Sequence, residues 1–397
     1  MKLRKVLLSI FLIFFVVFSF LPAVTAETLK IGFNFALNWP LGIDALNTVK
    51  LDIELINKAG GLMIGGKPYE IELVVGDNKM DMGLSKTVAE KLIYRDKVKF
   101  MIGDGFSYSY LELADASKVV TLASPVTDDM CSPDFHYLFR SAPIFMWTSL
   151  ISWTAEHYPD KKTILMTMPD RIDGRAYAPY WEKASKTAGL EVLETIFYPP
   201  TSMDHSSVGT KIKNLNPDIL VPFGGGPQTD SLIIKAARAA GYKGQVINTA
   251  GIPGGVMMGI AGPEAIEGMI SMAWPMEFDP ALNPEAQKFK EQWIAKYGSY
   301  ENPEAASSLP WWALKAALEK ASKPEPDEVA EILASGLKFD CILGSGMMVP
   351  RRDLKNPRTV DTAIDGYIKK IEGGKIKSLG KITAEEVYQF CAKTYGW

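Results

Sequence analysis

The sequence predicts an α/β protein made of two similar units, each a mostly parallel sheet with helices on both faces. Predicted strands alternate with helices of ten or more residues, which is the pattern of parallel sheets. The alternation restarts after "YLFRSAPI" at 137–144, and 397 residues are enough for two lobes of ordinary size. We therefore expect two lobes that follow one another along the chain.

The first unit contains four predicted strands separated by helices. Glycines close its first helix at 60 and 61 and form a hairpin turn at 65 and 66. The predicted elements are a strand at 28–37, a helix at 41–61, a strand at 69–78, a helix at 81–96, a strand at 98–103, a short helix, and a strand at 119–125.

The junction "IGDGFSYSYLEL" at 102–113 carries more polar and aromatic residues than a plain turn requires. Ser109 stands three positions before Glu112, which predicts a capping box for the following helix. Ser107 and its neighbours Phe106 and Tyr108 are left without a structural role, at the positive end of a helix.

The second unit repeats this logic, and a tail of different character follows it. Its predicted elements are a helix at 145–157, a strand at 162–168, a helix at 174–188, a strand at 190–198, a helix at 206–214, a strand at 218–226 and a helix at 227–240. The tail has helices around 284–297, 304–322 and 326–335, then hairpin-like strands at 344–350 and 363–379.

A ligand site is expected where the two sheets face each other. Open α/β sheets bind ligands outside the carboxyl ends of their strands, and two such sheets make a cleft. The junctions to inspect are therefore "FALNWPLG", "GDGFSYS", "ASPVTDDM", "MPDRIDGRAY", "FGGGPQ" and "NTAGIPGG".

The first 26 residues of the sequence indicate that the protein is exported. Three cations in the first five residues precede a largely apolar run from Val6 to Leu21, and small residues follow at 24 and 26. This predicts a signal peptide at 1–26, cleaved after Ala26, with an uncleaved membrane anchor as the alternative. Cleavage would change the net charge from −3 to −6, because 1–26 carries three cations and no acid. A mildly acidic chain without a basic cluster argues against nucleic acid or an anionic membrane as partner.

Motifs for catalysis or metal binding are absent from the sequence, which has no GxSxG, HExxH, CxxC or Walker A pattern and three histidines. We therefore expect no enzyme and no cofactor. The segment "FGGGPQ" at 223–228 could cradle a phosphate, or form a strand-to-helix turn that needs unusual dihedrals. Cys341 and Cys391 could pair after export, or they and Cys131 could be buried thiols.

Over essentially the whole exported chain, the sequence resembles the extracellular solute-binding proteins of branched-chain amino acid ABC transporters. The resemblance is carried by the order and spacing of "LKIGFNFAL", "INKAGGLMIGGKPYEIELVVGDN", "FMIGDGFSYS", "YLFRSAP", "AARAAGYKGQ" and "IAGPEAIEGM". It implies the type I periplasmic-binding fold, with two Rossmann-like lobes joined by a three-strand hinge that closes on a small molecule. The lobes expected from it are 27–141 with 275–355, and 142–274 with 356–397.

The resemblance also implies which residues hold a ligand carboxylate. In amino-acid binders a hydroxyl and backbone N–H groups do this, after the fourth strand and in a Ser-Pro-Ala-Thr-like loop. The matching positions are Ser107, with Phe106 and Tyr108 beside it, and then the N–H of Val126 and the hydroxyl of Thr127. The alternative for Thr127 is an ordinary turn hydroxyl.

The ammonium side departs from the family. The tyrosine of a Tyr-Gly-x-Gly-like stretch is replaced by Asp173, and the glutamate that faces the ammonium is replaced by Ala250. Because an unpaired buried ammonium is costly, this loss argues against a plain amino acid. Asp173 could take over the role, or could be the N-cap of the helix at 174–188.

The apolar wall is also expected to differ. A tyrosine common in the family falls at Gly226, which removes bulk, and the first junction contributes Trp39 and Leu41. A tryptophan in a cleft can stack on a flat ligand, and core packing is the alternative for Trp39.

These features predict a monomeric periplasmic receptor of an ABC importer, with a permease and an ATPase as membrane partners. Its expected ligand is a small carboxylate without an α-ammonium, with an aromatic acid as one candidate. One alternative is an amino acid or amide held by Asp173. Others are a ligand sensor for a membrane receptor and, last, an enzyme.

Overall fold

The computed structural model describes residues 26–124, 128, 134–249, 254–273, 283–298, 307–354 and 360–397. The signal peptide, Val126, Thr127, Cys131 and Ala250, on which several predictions depend, lie outside these residues. None of the described helices is both long and apolar enough to cross a membrane.

The first lobe is built on a six-stranded sheet in the order β2-β3-β1-β4-β5-β6, parallel except for the β2–β3 hairpin. Its strands are β1 (Glu27–Phe35), β2 (Leu62–Ile64), β3 (Lys67–Asp77), β4 (Phe100–Gly103), β5 (Val120–Ala123) and β6 (Leu138–Arg140). The helices are α1 (Pro40–Lys58), α2 (Met82–Glu90, continued by a π turn Lys91–Arg95) and α3 (Leu111–Ala116).

The second lobe is built on a seven-stranded sheet in the order β16-β15-β11-β10-β9-β7-β8. Its strands are β7 (Thr163–Pro169), β8 (Glu191–Tyr198), β9 (Ile219–Pro222), β10 (Gln245–Asn248), β11 (Ile270–Ala273), β15 (Gly366–Glu372) and β16 (Lys375–Ile382). The helices are α4 (Ile144–His157), α5 (Ile172–Thr187), α6 (Ser206–Leu215), α7 (Gly226–Ala239), α8 (Gly254–Ala261) and α9 (Pro263–Ile266). The tail strands β15 and β16 extend this sheet in antiparallel orientation.

The remaining tail elements pack against both lobes. They are α10 (Pro284–Tyr297), α11 (Leu309–Lys320), α12 (Pro326–Ala334), α13 (Ala384–Tyr395) and a third, antiparallel sheet of β12 (Lys338–Cys341), β13 (Gly344–Pro350) and β14 (Val360–Ile364). One apolar core runs from Phe33 in the first sheet through Phe145 to Trp181 in the second lobe. The prediction of an α/β fold with mostly parallel sheets in two lobes is confirmed.

Two local predictions are wrong. Ser109 is not the N-cap of a capping box, because Ser107–Tyr110 is a 3-10 turn and α3 begins only at Leu111. The Ser109 hydroxyl instead donates to the carbonyl of Phe106 at 3.1 Å, which closes that turn. The possible pairing of Cys341 with Cys391 is also wrong, since both are free, buried thiols.

Candidate functional site

A cavity of about 240 Å³ lies between the carboxyl ends of the two parallel sheets. The first lobe contributes residues that follow β1, β4 and β5, among them Trp39, Asp104 and Ser124. The second lobe contributes residues that follow β7 and β9, among them Arg171 and Phe223. In each sheet these strands flank the point where the strand order reverses, the place at which α/β folds bind ligands.

The floor of the cavity is aromatic. The ring of Phe223 lies 5.8 Å from that of Trp147 and 5.6 Å from that of Tyr177, and all three line the cavity. Behind them, the ring of Trp181 supports Phe223 at 4.2 Å. The buried Nε1–H of Trp147 has no hydrogen-bond partner among the residues that the structure describes. The floor therefore offers flat apolar surface to the cavity.

The wall opposite this floor is formed by the start of α1. Trp39 is the N-cap residue, and its side chain is not buried in the core but is 42% exposed at the cavity. The helix can approach β1 closely because residue 42 is glycine: a Cβ there would lie 1.9 Å from the carbonyl oxygen of Ala36. This close approach brings Trp39 and Leu41 to the cavity.

Asp104 joins the ends of three first-lobe strands. Its carboxylate accepts hydrogen bonds from the backbone N–H of Ala36 at 2.8 Å and of Phe106 at 2.9 Å, and from the side chain of Asn78 at 3.0 Å. Burial raises the pKa of Asp104, although these hydrogen bonds oppose the rise. Asp104 thus links the segments that follow β1, β3 and β4 and stabilises the first-lobe wall of the cavity.

Arg171 and Asp173 form a bidentate ion pair on the second-lobe wall. Arg171 Nε lies 2.6 Å from Asp173 Oδ1, and Nη2 lies 2.8 Å from Oδ2. Nη2 also donates to the carbonyl of Gly224 at 2.9 Å. The hydrogen bonds with Asp173 raise the pKa of Arg171 above its ordinary value. Arg171 is the one cationic side chain among the described residues that line the cavity.

The "FGGGPQ" segment forms the turn from β9 to α7. It has the unusual backbone dihedrals that the second of its two interpretations requires. Gly224 has φ +83° and Gly226 has φ +72°, a region that glycine adopts without strain. Lack of space does not require glycine at position 226, since a Cβ there would meet nothing within 4 Å. The buried carboxylate of Asp230 reaches back and accepts the N–H of Gly225 at 3.1 Å.

The structure brings four predicted site residues together and leaves three apart. Trp39, Leu41, Asp173 and Gly226 line the cavity. Phe106, Ser107 and Tyr108 do not. Ser107 is fully buried, and Tyr108 lines a groove on another side of the first lobe. Val126, Thr127 and Ala250 lie outside the described residues.

The N-cap alternative for Asp173 is wrong. Helix α5 begins at Ile172 with Arg171 as its N-cap residue, so Asp173 lies within the first turn. Its carboxylate accepts the N–H of the adjacent Gly174 at 2.9 Å and pairs with Arg171.

Sequence reasoning missed Arg171, Asp104 and the aromatic floor. Arg171 and Asp104 stand in the junctions "MPDRIDGRAY" and "GDGFSYS", so a search there for charged side chains would have found both. Trp147 and Tyr177 lie inside helices, where nothing local distinguishes a cavity-facing ring from a core-facing one.

The arrangement suits binding rather than catalysis. Among the described residues, the lining presents aromatic surface and one cation to a small volume. Within the described ranges, no group of three or more His, Cys, Asp or Glu side chains is placed to hold a metal ion.

Comparison with known proteins gives one family match. The family model described as "Periplasmic binding protein" matches residues 35–360. The chain is 27% identical to Leu/Ile/Val-binding protein homolog 8 of Brucella abortus (strain 2308) over 315 residues, which covers 73% of this chain and 75% of that protein.

Two solved structures illustrate the likeness of fold. The branched-chain amino acid transporter substrate binding protein LivJ of Streptococcus pneumoniae, in complex with isoleucine, superposes with a TM-score of 0.71 at 20% identity, covering 90% of this chain and 100% of that one. A solute binding protein of an ABC transporter from R. palustris, in complex with benzoate, superposes with a TM-score of 0.67 at 19% identity, covering 90% and 97%.

Proposed function

Because the chain belongs to the family of periplasmic binding proteins, we propose that it is the receptor of an ABC importer and binds a small, flat carboxylate, such as an aromatic acid. The observation that carries the ligand proposal is the cavity of about 240 Å³ with its aromatic floor, its exposed tryptophan and its single cation. The ligand would be enclosed between the lobes as they close about the hinge.

The size and lining of the cavity favour a monocyclic acid. Ring faces at Trp39, Trp147 and Phe223 can stack on or pack edge-to-face against a planar ligand. Glycine at 224 and 226 leaves room that side chains would fill. The R. palustris structure carries benzoate, so an aromatic acid is a ligand that this fold accommodates.

The charges of the wall favour a carboxylate over an amino acid. An α-ammonium needs a carboxylate partner. In the described part of the cavity wall, Asp104 already accepts hydrogen bonds from three neighbouring segments and Asp173 is paired with Arg171. An ammonium would have to share a carboxylate with these donors, whereas an acid meets Arg171 directly.

A titration of the purified protein tests this proposal. Isothermal calorimetry should show binding of benzoate or phenylacetate and weaker binding of leucine. Trp39→Ala should weaken benzoate binding about 5- to 20-fold, since a stacked ring contributes on the order of 1–2 kcal/mol. Tyr94→Ala is the matched control, because Tyr94 is an exposed first-lobe aromatic that does not line the cavity.

Micromolar binding of leucine without any response to aromatic acids would contradict the proposed ligand. It would favour the amino-acid alternative with Asp173 as ammonium partner, in keeping with the isoleucine bound by the S. pneumoniae protein.

We further propose that the protein acts in the periplasm, as a monomer, with a membrane permease and an ATPase. The signal peptide expected at 1–26 supports export. N-terminal sequencing of exported protein should give Glu27 as the first residue. Permease and ATPase genes beside the coding sequence would support transport over the alternative of a sensor for a membrane receptor.

A further inference from the structure

We propose that Arg171 receives the carboxylate of the ligand and that Asp173 both orients Arg171 and weakens its hold on an anion. This inference rests on the proposed function, and it assigns the charge recognition to the second lobe. The hydroxyl and N–H donors expected from the sequence, at Ser107, Val126 and Thr127, belong to the first lobe.

The hydrogen bonds of Arg171 leave one edge of its guanidinium open. A guanidinium has five N–H donors. The Nε–H and one Nη2–H point to Asp173, and the other Nη2–H points to the carbonyl of Gly224. Within the described part of the chain, the two N–H groups on Nη1 make no hydrogen bond. A ligand carboxylate can therefore join Arg171 at Nη1 without displacing any existing partner.

The surroundings of Arg171 fix it toward the cavity. Its side chain is 49% exposed, and Asp173, at 25% exposed, holds the opposite edge of the guanidinium in a bidentate pair. The bond to Gly224 ties Arg171 to the same turn that places Phe223 in the floor. A guanidinium that is already hydrogen-bonded to Asp173 and Gly224 loses little conformational freedom when it binds an anion.

Asp173 sets the strength of this interaction. The pair is neutral as a whole, so an anionic ligand at Nη1 is attracted by Arg171 and is opposed, from the far edge of the guanidinium and therefore more weakly, by Asp173. Removing the negative charge of Asp173 should strengthen anion binding. If Asp173 were instead the partner of a ligand ammonium, removing its charge would abolish binding of that amino acid or amide.

A second Arg–Asp ion pair at the start of helix α5 provides control variants. Arg175 Nε lies 2.8 Å from Asp170 Oδ1, and the two side chains are 55% and 51% exposed. Neither residue lines the cavity. The two pairs have the same residue types and lie at the same strand-to-helix junction, and they differ in whether they line the cavity.

The test is calorimetry with benzoate on the wild type and on single variants whose melting curves confirm folding. Arg171→Gln should weaken benzoate binding about 10-fold or more, the loss expected for hydrogen bonds to a charged group. Arg171→Lys, which keeps the charge, should recover part of the affinity. Asp173→Asn should bind benzoate about 2- to 5-fold more tightly. Arg175→Gln and Asp170→Asn should stay within 2-fold of the wild type.

The outcomes separate this inference from the proposed function. If the wild type binds benzoate and Arg171→Gln binds it equally well, Arg171 is not the carboxylate partner although the proposed function stands. Weaker rather than tighter binding by Asp173→Asn would also overturn the inference. If the wild type binds neither benzoate nor phenylacetate, the proposed ligand class fails and the role of Arg171 fails with it.

Discussion

Ser107 and Tyr110 carry two buried hydroxyl groups that find no hydrogen-bond partner among the described residues. Both belong to the 3-10 turn after β4, and the Tyr110 hydroxyl lies so near Gly103 that a Cβ there would approach it to 2.3 Å. An unpaired buried hydroxyl costs about 1–3 kcal/mol of stability. Removing one of these hydroxyl groups should therefore not lower the free energy of unfolding.

Ser107→Ala should leave the free energy of unfolding unchanged or raise it by up to about 1 kcal/mol, because the lost hydroxyl has no partner. Ser109→Ala should lower it by about 1 kcal/mol, since its hydroxyl donates to the carbonyl of Phe106. Urea unfolding measures both. A clear loss of stability in Ser107→Ala would contradict the expected difference between the two serines.

The same Ser107 variant tests the carboxylate role predicted from the sequence. In this structure Ser107 is buried away from the cavity. A loss of benzoate affinity of about 10-fold or more would support that role. It would also require the turn to expose Ser107 when the ligand binds.

At the scale of elements, the turn that connects β9 to α7 depends on a buried carboxylate. Asp230 lies in the first half of α7 and accepts the N–H of Gly225 through Oδ1, while its Oδ2 has no partner in the described structure. Burial raises the pKa of Asp230 to about 7, although the hydrogen bond from Gly225 and the charge of Arg171 oppose the rise. The folded protein therefore takes up a proton here that the unfolded chain has released.

Asp230→Asn should change how stability depends on pH. Since the folded state holds this proton up to about pH 7, the wild type loses stability as pH rises from about 4 to about 7. The asparagine variant keeps an acceptor for the N–H of Gly225, and its stability does not fall with pH in this way because asparagine does not ionise. At pH 8 it should exceed the wild type by up to about 4 kcal/mol. Urea unfolding between pH 5 and 8 measures the difference, and parallel profiles for the two proteins would refute the assignment.

At the scale of the whole molecule, a buried ionic cluster ties the lobes together. Asp128 contacts Arg140 at the end of β6, Arg351 after β13, and the hydroxyl of Tyr180 on helix α5. Arg351 also lies 5.3 Å above the ring of Phe145. Burial alone would raise the pKa of Asp128, but Arg140 and Arg351 hold it below its ordinary value. We therefore expect the cluster to stay intact during the lobe closure proposed above.

Saturating benzoate should reduce the radius of gyration measured by small-angle scattering. The cavity is lined from both lobes, so a ligand that contacts both walls stabilises the closed arrangement. Arg171→Gln at the same benzoate concentration should compact less, because it binds less ligand. An unchanged radius in the wild type, at a concentration where calorimetry shows saturation, would contradict hinge closure.

The sequence by itself determined the α/β class and the region of the site. Strand and helix periodicity depend on neighbours two to four residues away, so alternation could be read along the chain. The cavity lies at the carboxyl ends of parallel strands, where the strand-to-helix junctions predicted a ligand site. Within those junctions the family resemblance singled out Trp39, Leu41, Asp173 and Gly226, which line the cavity. The capping box at Ser109 failed because the helix has Tyr110 as its N-cap residue, and a boundary shift of one residue moves a side chain off the cap.

Only the tertiary structure decided which side chains meet and which are buried. The bond from Arg171 to the carbonyl of Gly224, the meeting of Trp147 and Tyr177 at one cavity, and the burial of Ser107 each depend on segments that are distant in sequence. The pairing of β15 with β11 joins strands about a hundred positions apart in the sequence, and β16 then pairs with β15. Such contacts are fixed by packing of the whole chain, and no local pattern of residues encodes them.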